Sequence, residues 1–162
     1  MIKILSEGDG KHRIENENDQ RIGWISGQTI GFRGFATKDD AREASVAARR
    51  ALDRAILAQH TGWPLHALTS ERVQTVHDGA YEWFYDGSAP VARLLRPQRR
   101  AYDQSFGIEL VLPSFANEGL AVTAAHALSR AVEPYRDVTA RAESAVRPTA
   151  AAGGVPDSST FY

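Results

Sequence analysis

The sequence repeats one order of secondary structure, and this repeat limits most strongly how the chain can fold. Short segments typical of β-strands lead into an Ala-rich amphipathic helix at residues 37–59, and the same order leads into a second helix at residues 117–135. Apolar residues recur at helical spacing in both helices, whereas the preceding segments alternate with a period of two. The halves share this order of elements, while their residues align only at scattered positions.

Turn residues mark the strands of both halves. The predicted strands lie at residues 2–5, 11–15, 21–25, 29–35, 73–77, 80–85, 89–95 and 105–112. In the second half, Asp78-Gly79 and Asp86-Gly87 separate the first three strands, and Asp-Gly favours a hairpin because glycine accepts positive φ. We therefore predict an α+β fold, in which two antiparallel meander-plus-helix units (ββββα-ββββα) pack as one body.

The same signals divide the chain into four parts. Residues 1–60 form the first unit, 61–71 a linker, 72–137 the second unit, and 138–162 a polar helix extension with a tail. The tail is rich in Ala, Gly, Ser, Thr and Pro, so we expect it to be flexible by itself.

The first helix begins with N-cap chemistry at Thr37, and Asp39 and Asp40 favour its positive end. Four glycines precede this helix, at Gly23, Gly27, Gly31 and Gly34. A phosphate-binding loop would place backbone N–H groups at this helix end, but the two aspartates would repel an anion there. We interpret the glycines as bulges or as close packing against Ala41 and Ala44.

Composition excludes several classes of function. Hydrophobic residues make up 43% of the 162 positions and charged residues 24%, as in ordinary globular proteins. The formal net charge of −1 gives no strong field for nucleic acid or an anionic membrane. The absence of cysteine excludes disulfides, thiolate catalysis and cysteine-bound zinc.

No apolar run approaches the roughly 20 residues of a membrane span, and the N-terminus does not have the pattern of a signal peptide. We expect a soluble, cytoplasmic protein.

We find no motif that predicts a reaction, a cofactor or a metal site. The five histidines do not have the spacing of zinc ligands, and no serine lies in a Gly-x-Ser-x-Gly elbow. We therefore expect a non-catalytic protein without cofactor or metal.

An aromatic strand and an arginine-rich segment are the candidate contact sites. Tyr81, Trp83 and Tyr85 alternate on one face of a predicted strand, with Phe84 on the other. The simpler alternatives are that one face packs beneath a helix and that the arginines form a solvated loop. Exposed aromatic residues, however, often mark an interface. The candidate partner-binding residues are Trp24, Tyr81, Trp83, Tyr85, Arg93, Arg96, Arg99 and Arg100.

The tandem order of elements resembles that of the Whirly proteins and the purine-rich-element-binding proteins. The local likeness lies in Phe106-Gly-Ile-Glu-Leu-Val-Leu-Pro and in the following helix, which ends at Val132-Glu-Pro-Tyr135. The resemblance implies two units packed together that bind single-stranded nucleic acid across their sheets.

Two functions follow as expectations. The first is an accessory or structural subunit that docks on a larger protein assembly, or on copies of itself. Its sheet aromatics, the basic segment at residues 93–100 and the C-terminal tail would make the contact. The alternative is a single-stranded nucleic-acid-binding protein that uses Trp24, Tyr81, Trp83, Arg93 and Arg96.

Overall fold

The computed structural model describes residues 1–57, 60, 68–98 and 104–136, and these contain eight strands and two α-helices. The strands are β1 (Lys3–Gly8), β2 (Lys11–Glu15), β3 (Arg21–Ser26), β4 (Thr29–Phe35), β5 (Val73–Asp78), β6 (Tyr81–Asp86), β7 (Ala89–Leu95) and β8 (Phe106–Val111). The helices are α1 (Lys38–Leu57) and α2 (Glu118–Val132), with short 3-10 helices at Ser70–Arg72 and Glu133–Tyr135. Most of the predicted linker and the whole predicted tail, 138–162, lie outside the described residues.

The α+β class is confirmed, but the repeat is matched only loosely. Four strands precede each helix, as predicted. In the first half, however, the longest connection between strands lies between β2 and β3. In the second half it lies between β7 and β8. The two halves are therefore not built from equivalent hairpins.

All eight strands form one antiparallel sheet in the order β1-β2-β3-β4-β8-β7-β6-β5. The last strand of each half lies at the centre, where β4 pairs with β8 through Ile30 opposite Leu110 and Phe32 opposite Ile108. The two predicted meanders thus join edge to edge.

Both helices cover the same face of this sheet. They pack against each other, and both contact β4. Alanines on α1 and α2 allow this close approach, because each alanine side chain is a single methyl group. The buried residues between the layers include Ile14, Phe32, Leu94 and Ile108 of the sheet and Ala44, Ala48, Leu52, Ala124 and Leu128 of the helices.

Each helix begins with a side-chain cap of the same kind. The Thr37 Oγ1 atom accepts a hydrogen bond from the Asp40 amide at 3.0 Å, which confirms the predicted cap. The Asn117 Oδ1 atom accepts from the Leu120 amide at 2.8 Å. Each cap satisfies a backbone donor that the helix itself cannot pair.

A buried arginine connects the end of the second half to the first half. Arg136 is 7% exposed, and its guanidinium donates to the carbonyl groups of Ile22, at 3.4 Å, and of Arg33. Gly34 makes room for it, because a Cβ atom at this position would lie 2.7 Å from the guanidinium carbon. Gly34 also has φ +110°, and the β4–β8 register shifts beside it. The interpretation of a bulge is thus confirmed at Gly34.

We predict that Gly34→Ala destabilises the fold by about 2 to 3 kcal/mol, because it adds backbone strain and a clash with Arg136. Gly10→Ala is the matched control, since Gly10 has φ +74° but nothing within 4 Å of the added Cβ. Urea unfolding should give a smaller loss for Gly10→Ala. In an Arg136→Ala background the excess cost of Gly34→Ala should disappear, and an unchanged excess would contradict the clash.

Candidate binding surface on the open face of the sheet

The sheet face opposite the helices, which we call the open face, carries most of the predicted contact residues. Directly paired residues of neighbouring strands lie on the same face of a sheet, so the register defines a row across all eight strands. From β1 to β5 this open-face row consists of Leu5, Arg13, Trp24, Gly31, Glu109, Arg93, Trp83 and Val76. At its two ends Leu5 and Val76 are 37% and 41% exposed.

One carboxylate at the centre of the row holds two of the predicted residues together. The Trp24 indole nitrogen donates to Glu109 Oε2 at 3.2 Å, and Arg93 Nη2 lies 3.0 Å from Glu109 Oε1. The Arg93 guanidinium also lies 4.7 Å from the centroid of the Tyr81 ring, within the range of a cation–π interaction. Side chains from β3, β6, β7 and β8 thus form one connected network.

Glycine makes this network geometrically feasible. The Trp24 indole lies across Gly31, and a Cβ atom at position 31 would overlap the ring. The Arg33 side chain lies in a similar way against Gly107, where a Cβ atom would come within 2.8 Å of Arg33 Cγ. The suggestion that Gly31 packs against helix alanines is therefore wrong, because this glycine faces the opposite side of the sheet.

The arginines that the register places on this face already have partners. Arg93 pairs with Glu109, and Arg13 Nε lies 2.8 Å from Glu15 Oε2. Arg33 Nη1 donates to the Ser105 carbonyl at 2.9 Å. The open face therefore combines exposed apolar groups with arginines that pair within the sheet.

The structure brings five of the eight predicted residues together and separates a sixth. Tyr81, Trp83 and Tyr85 share the open face because they alternate along β6, and Tyr81 is 55% exposed. Phe84, which points to the other side, is fully buried. Arg96 lies on the helix side, since its partner Glu82 stands opposite the buried Leu94. The last two, Arg99 and Arg100, lie outside the described residues.

Sequence reasoning did not identify Glu109 as part of the site. The alternation in β8 places Glu109 on the polar side of the strand, which is a usable signal. Its partners come from β3 and β7, however, and no local pattern reports which strands lie beside β8.

Glu82 forms a separate charged cluster at the start of α1. Arg96 Nη2 donates to it at 3.0 Å, His77 Nε2 lies at 3.6 Å and Lys38 Nζ at 3.9 Å. The hydrogen bond from Arg96 lowers the pKa of Glu82 below its ordinary value, burial opposes this effect, and the charges of Arg96, His77 and Lys38 reinforce it. The cluster links β5, β6 and the residue that follows β7 to the first turn of α1.

Compared with known proteins, the chain matches no protein-family model, no curated protein and no solved structure. The resemblance to the Whirly and purine-rich-element-binding proteins therefore stays a prediction.

Within the described ranges, no helix is long and apolar enough to cross a membrane. The same residues contain no group of three or more His, Asp or Glu side chains that could hold a metal ion.

We predict that Gly31→Ala costs about 1 to 3 kcal/mol of stability, because the new methyl group displaces the Trp24 indole. In a Trp24→Ala background the same change should be neutral or stabilising, since alanine is less flexible than glycine in the unfolded chain. Urea unfolding followed by circular dichroism measures all four proteins of this cycle. An equal cost in both backgrounds would contradict the close approach.

We predict that Glu82→Gln lowers the Tm at pH 7 and that the difference from wild type shrinks in acid. A carboxylate with a lowered folded-state pKa contributes stability above its unfolded pKa, and this contribution is lost as the pH falls through the folded pKa. The difference should therefore diminish below about pH 4.3. Glu71→Gln, which changes an exposed carboxylate, is the control and should shift the Tm little at any pH. A pH-independent difference for Glu82→Gln would refute the ion-pair explanation.

Proposed function

We propose that this protein is a non-catalytic binding module that docks on another protein through its open face, as an accessory subunit of a larger assembly. The open-face row carries the proposal, because it places aromatic and apolar side chains on a sheet face that neither helix covers. Arg96 lies on the helix side, so the proposal uses Trp24, Tyr81, Trp83, Tyr85 and Arg93. A cytoplasmic location belongs to the same proposal.

The chemistry of this face favours a protein partner. Tyrosine, tryptophan and arginine are enriched at the centres of protein interfaces. The two aromatic residues supply large contact areas with few rotatable bonds. The charges of Glu109 and Arg93 pair with each other, so a partner can cover this network without leaving an isolated charge buried. Tyr81 and Val76 then offer exposed apolar surface beside this fixed centre.

Single-stranded nucleic acid is the second candidate, since Arg93 lies directly beside Tyr81 on an open sheet. Bases stack on such aromatic rings, and a neighbouring arginine contacts phosphate. Arg93, however, already pairs with Glu109, and the net charge of the chain is −1. A phosphate would have to compete with this carboxylate, which favours the protein partner.

The proposal predicts that Tyr81→Ala weakens partner binding by about 5-fold to 30-fold, as expected for an interface aromatic. The partner is first identified by copurification from the native source and then purified, so that isothermal titration calorimetry gives its Kd. Phe115→Ala is the matched control, because Phe115 is 44% exposed in the loop between β8 and α2, away from the open face. Equal Kd values for wild type and Tyr81→Ala would refute docking on the open face.

A parallel titration tests the nucleic-acid candidate. The probe is a fluorescein-labelled oligothymidylate of about 20 nucleotides, measured by anisotropy at about 50 mM salt. We expect no saturable binding. Tight binding that weakens steeply with salt and is lost in Tyr81→Ala would replace the protein partner by single-stranded nucleic acid.

A further inference from the structure

A second surface lies in the helix layer, where the outward sides of α1 and α2 meet. An open groove of about 640 Å³ runs between the two helices. We call it the interhelix groove, and its lining includes Arg54 and Ala55 of α1 and Thr123, His126, Ala127 and Arg130 of α2. It shares no residue with the open-face row.

The outward stripe of α2 has too few charges for an ordinary solvated helix face. Thr123, His126, Ala127 and Arg130 follow the spacing of one helical stripe, separate from the stripe buried on the sheet. Between positions 119 and 132, Arg130 is the only residue with a permanent charge. A helix face exposed to water normally carries charged and polar residues, so this composition suits a face that another element covers.

The arginines of the groove have no acidic partner among the described residues. Among the arginines of the described ranges, Arg54 and Arg130 make no hydrogen bond or ion pair, and both side chains line this groove. Elsewhere, Arg49 pairs with Asp53 and Arg93 with Glu109. No acidic residue is among the described residues that line the groove.

A neighbouring cavity of about 750 Å³ differs from the interhelix groove, because acidic side chains line it. It shares His126 and Arg130 with the interhelix groove, but its lining also includes Glu17 and Glu133. Acidic side chains thus line the cavity on the other side of Arg130, whereas none of the described residues on the side that faces Arg54 is acidic. A ligand that binds on this side contacts the guanidinium groups of Arg54 and Arg130 and the methyl groups of an alanine floor at the base of the groove.

We propose that the interhelix groove docks an acidic amphipathic helix of a protein partner. Apolar side chains of that helix pack on the alanine floor, as in other helix-in-groove complexes. Its carboxylates pair with Arg54 and Arg130, because guanidinium groups bind carboxylates through paired hydrogen bonds. This surface acts independently of the open face, so the two proposals can fail separately.

The test uses the full chain and a fluorescein-labelled synthetic peptide of about 18 residues, long enough to form a helix. The peptide carries leucines at helical spacing flanked by glutamates, and a second peptide has glutamine in place of every glutamate. We expect saturable binding of the acidic peptide in fluorescence anisotropy and binding about 2-fold to 30-fold weaker for the glutamine peptide, as for the loss of two exposed ion pairs. Equal affinities, or no binding of the acidic peptide, would overturn the proposal.

Variants locate the binding site of the peptide. The double variant Arg54→Gln/Arg130→Gln should lower the affinity for the acidic peptide to that of the glutamine peptide, while Lys11→Gln, at an exposed cation on β2, should not. Tyr81→Ala should leave this affinity unchanged, which separates the groove from the open face. Undiminished binding to the double variant overturns the proposal, and so does displacement of the acidic peptide by an oligothymidylate, which would identify a nucleic-acid site.

Discussion

The antiparallel pairing of β4 with β8 is the constraint on which the rest of the molecule depends. Each of these strands ends one half of the chain, so their pairing converts two four-stranded sheets into one sheet of eight. On the helix side, Phe32 and Ile108 meet at this junction and are fully buried. On the open face the same junction pairs Gly31 with Glu109, which gives the Trp24 indole both the space and the hydrogen-bond acceptor it needs.

Hydrogen bonds donated by side chains connect the two halves and reinforce this junction on both sides of the sheet. The bond from Trp24 to Glu109 joins β3 to β8 across the open face. Arg136 passes from the end of the second half to carbonyl groups of β3 and β4. A buried guanidinium needs such acceptors, because it cannot lose its charge. Gly34 and Gly31 each leave the space that one of these long side chains occupies.

Local sequence patterns predicted the strands and helices. Which residues share the candidate site, in contrast, depends on pairing between strands that are far apart in the sequence. The bounds of β2, β4 and β7 agree with the prediction because alternation and turn residues act over a few positions. The cap at Thr37 was predictable for the same reason. The shared face of Tyr81, Trp83 and Tyr85 followed from their period of two. The role of Glu109 and the placement of Arg96 on the helix side depend on which strands pair, and single-sequence patterns do not report such pairing.

Although the net charge of the chain is only −1, the open face and the interhelix groove differ in their electrostatics. On the open face Arg93 is compensated by Glu109, so its field extends little into solution and contacts there depend mainly on shape and apolar area. In the interhelix groove, none of the described residues forms an ion pair with Arg54 or Arg130, so their field reaches to about the Debye length of 8 to 10 Å. Salt should therefore weaken association at the groove much more than association at the open face. Ionic strength thus separates the contributions of the two surfaces in any complex that uses both.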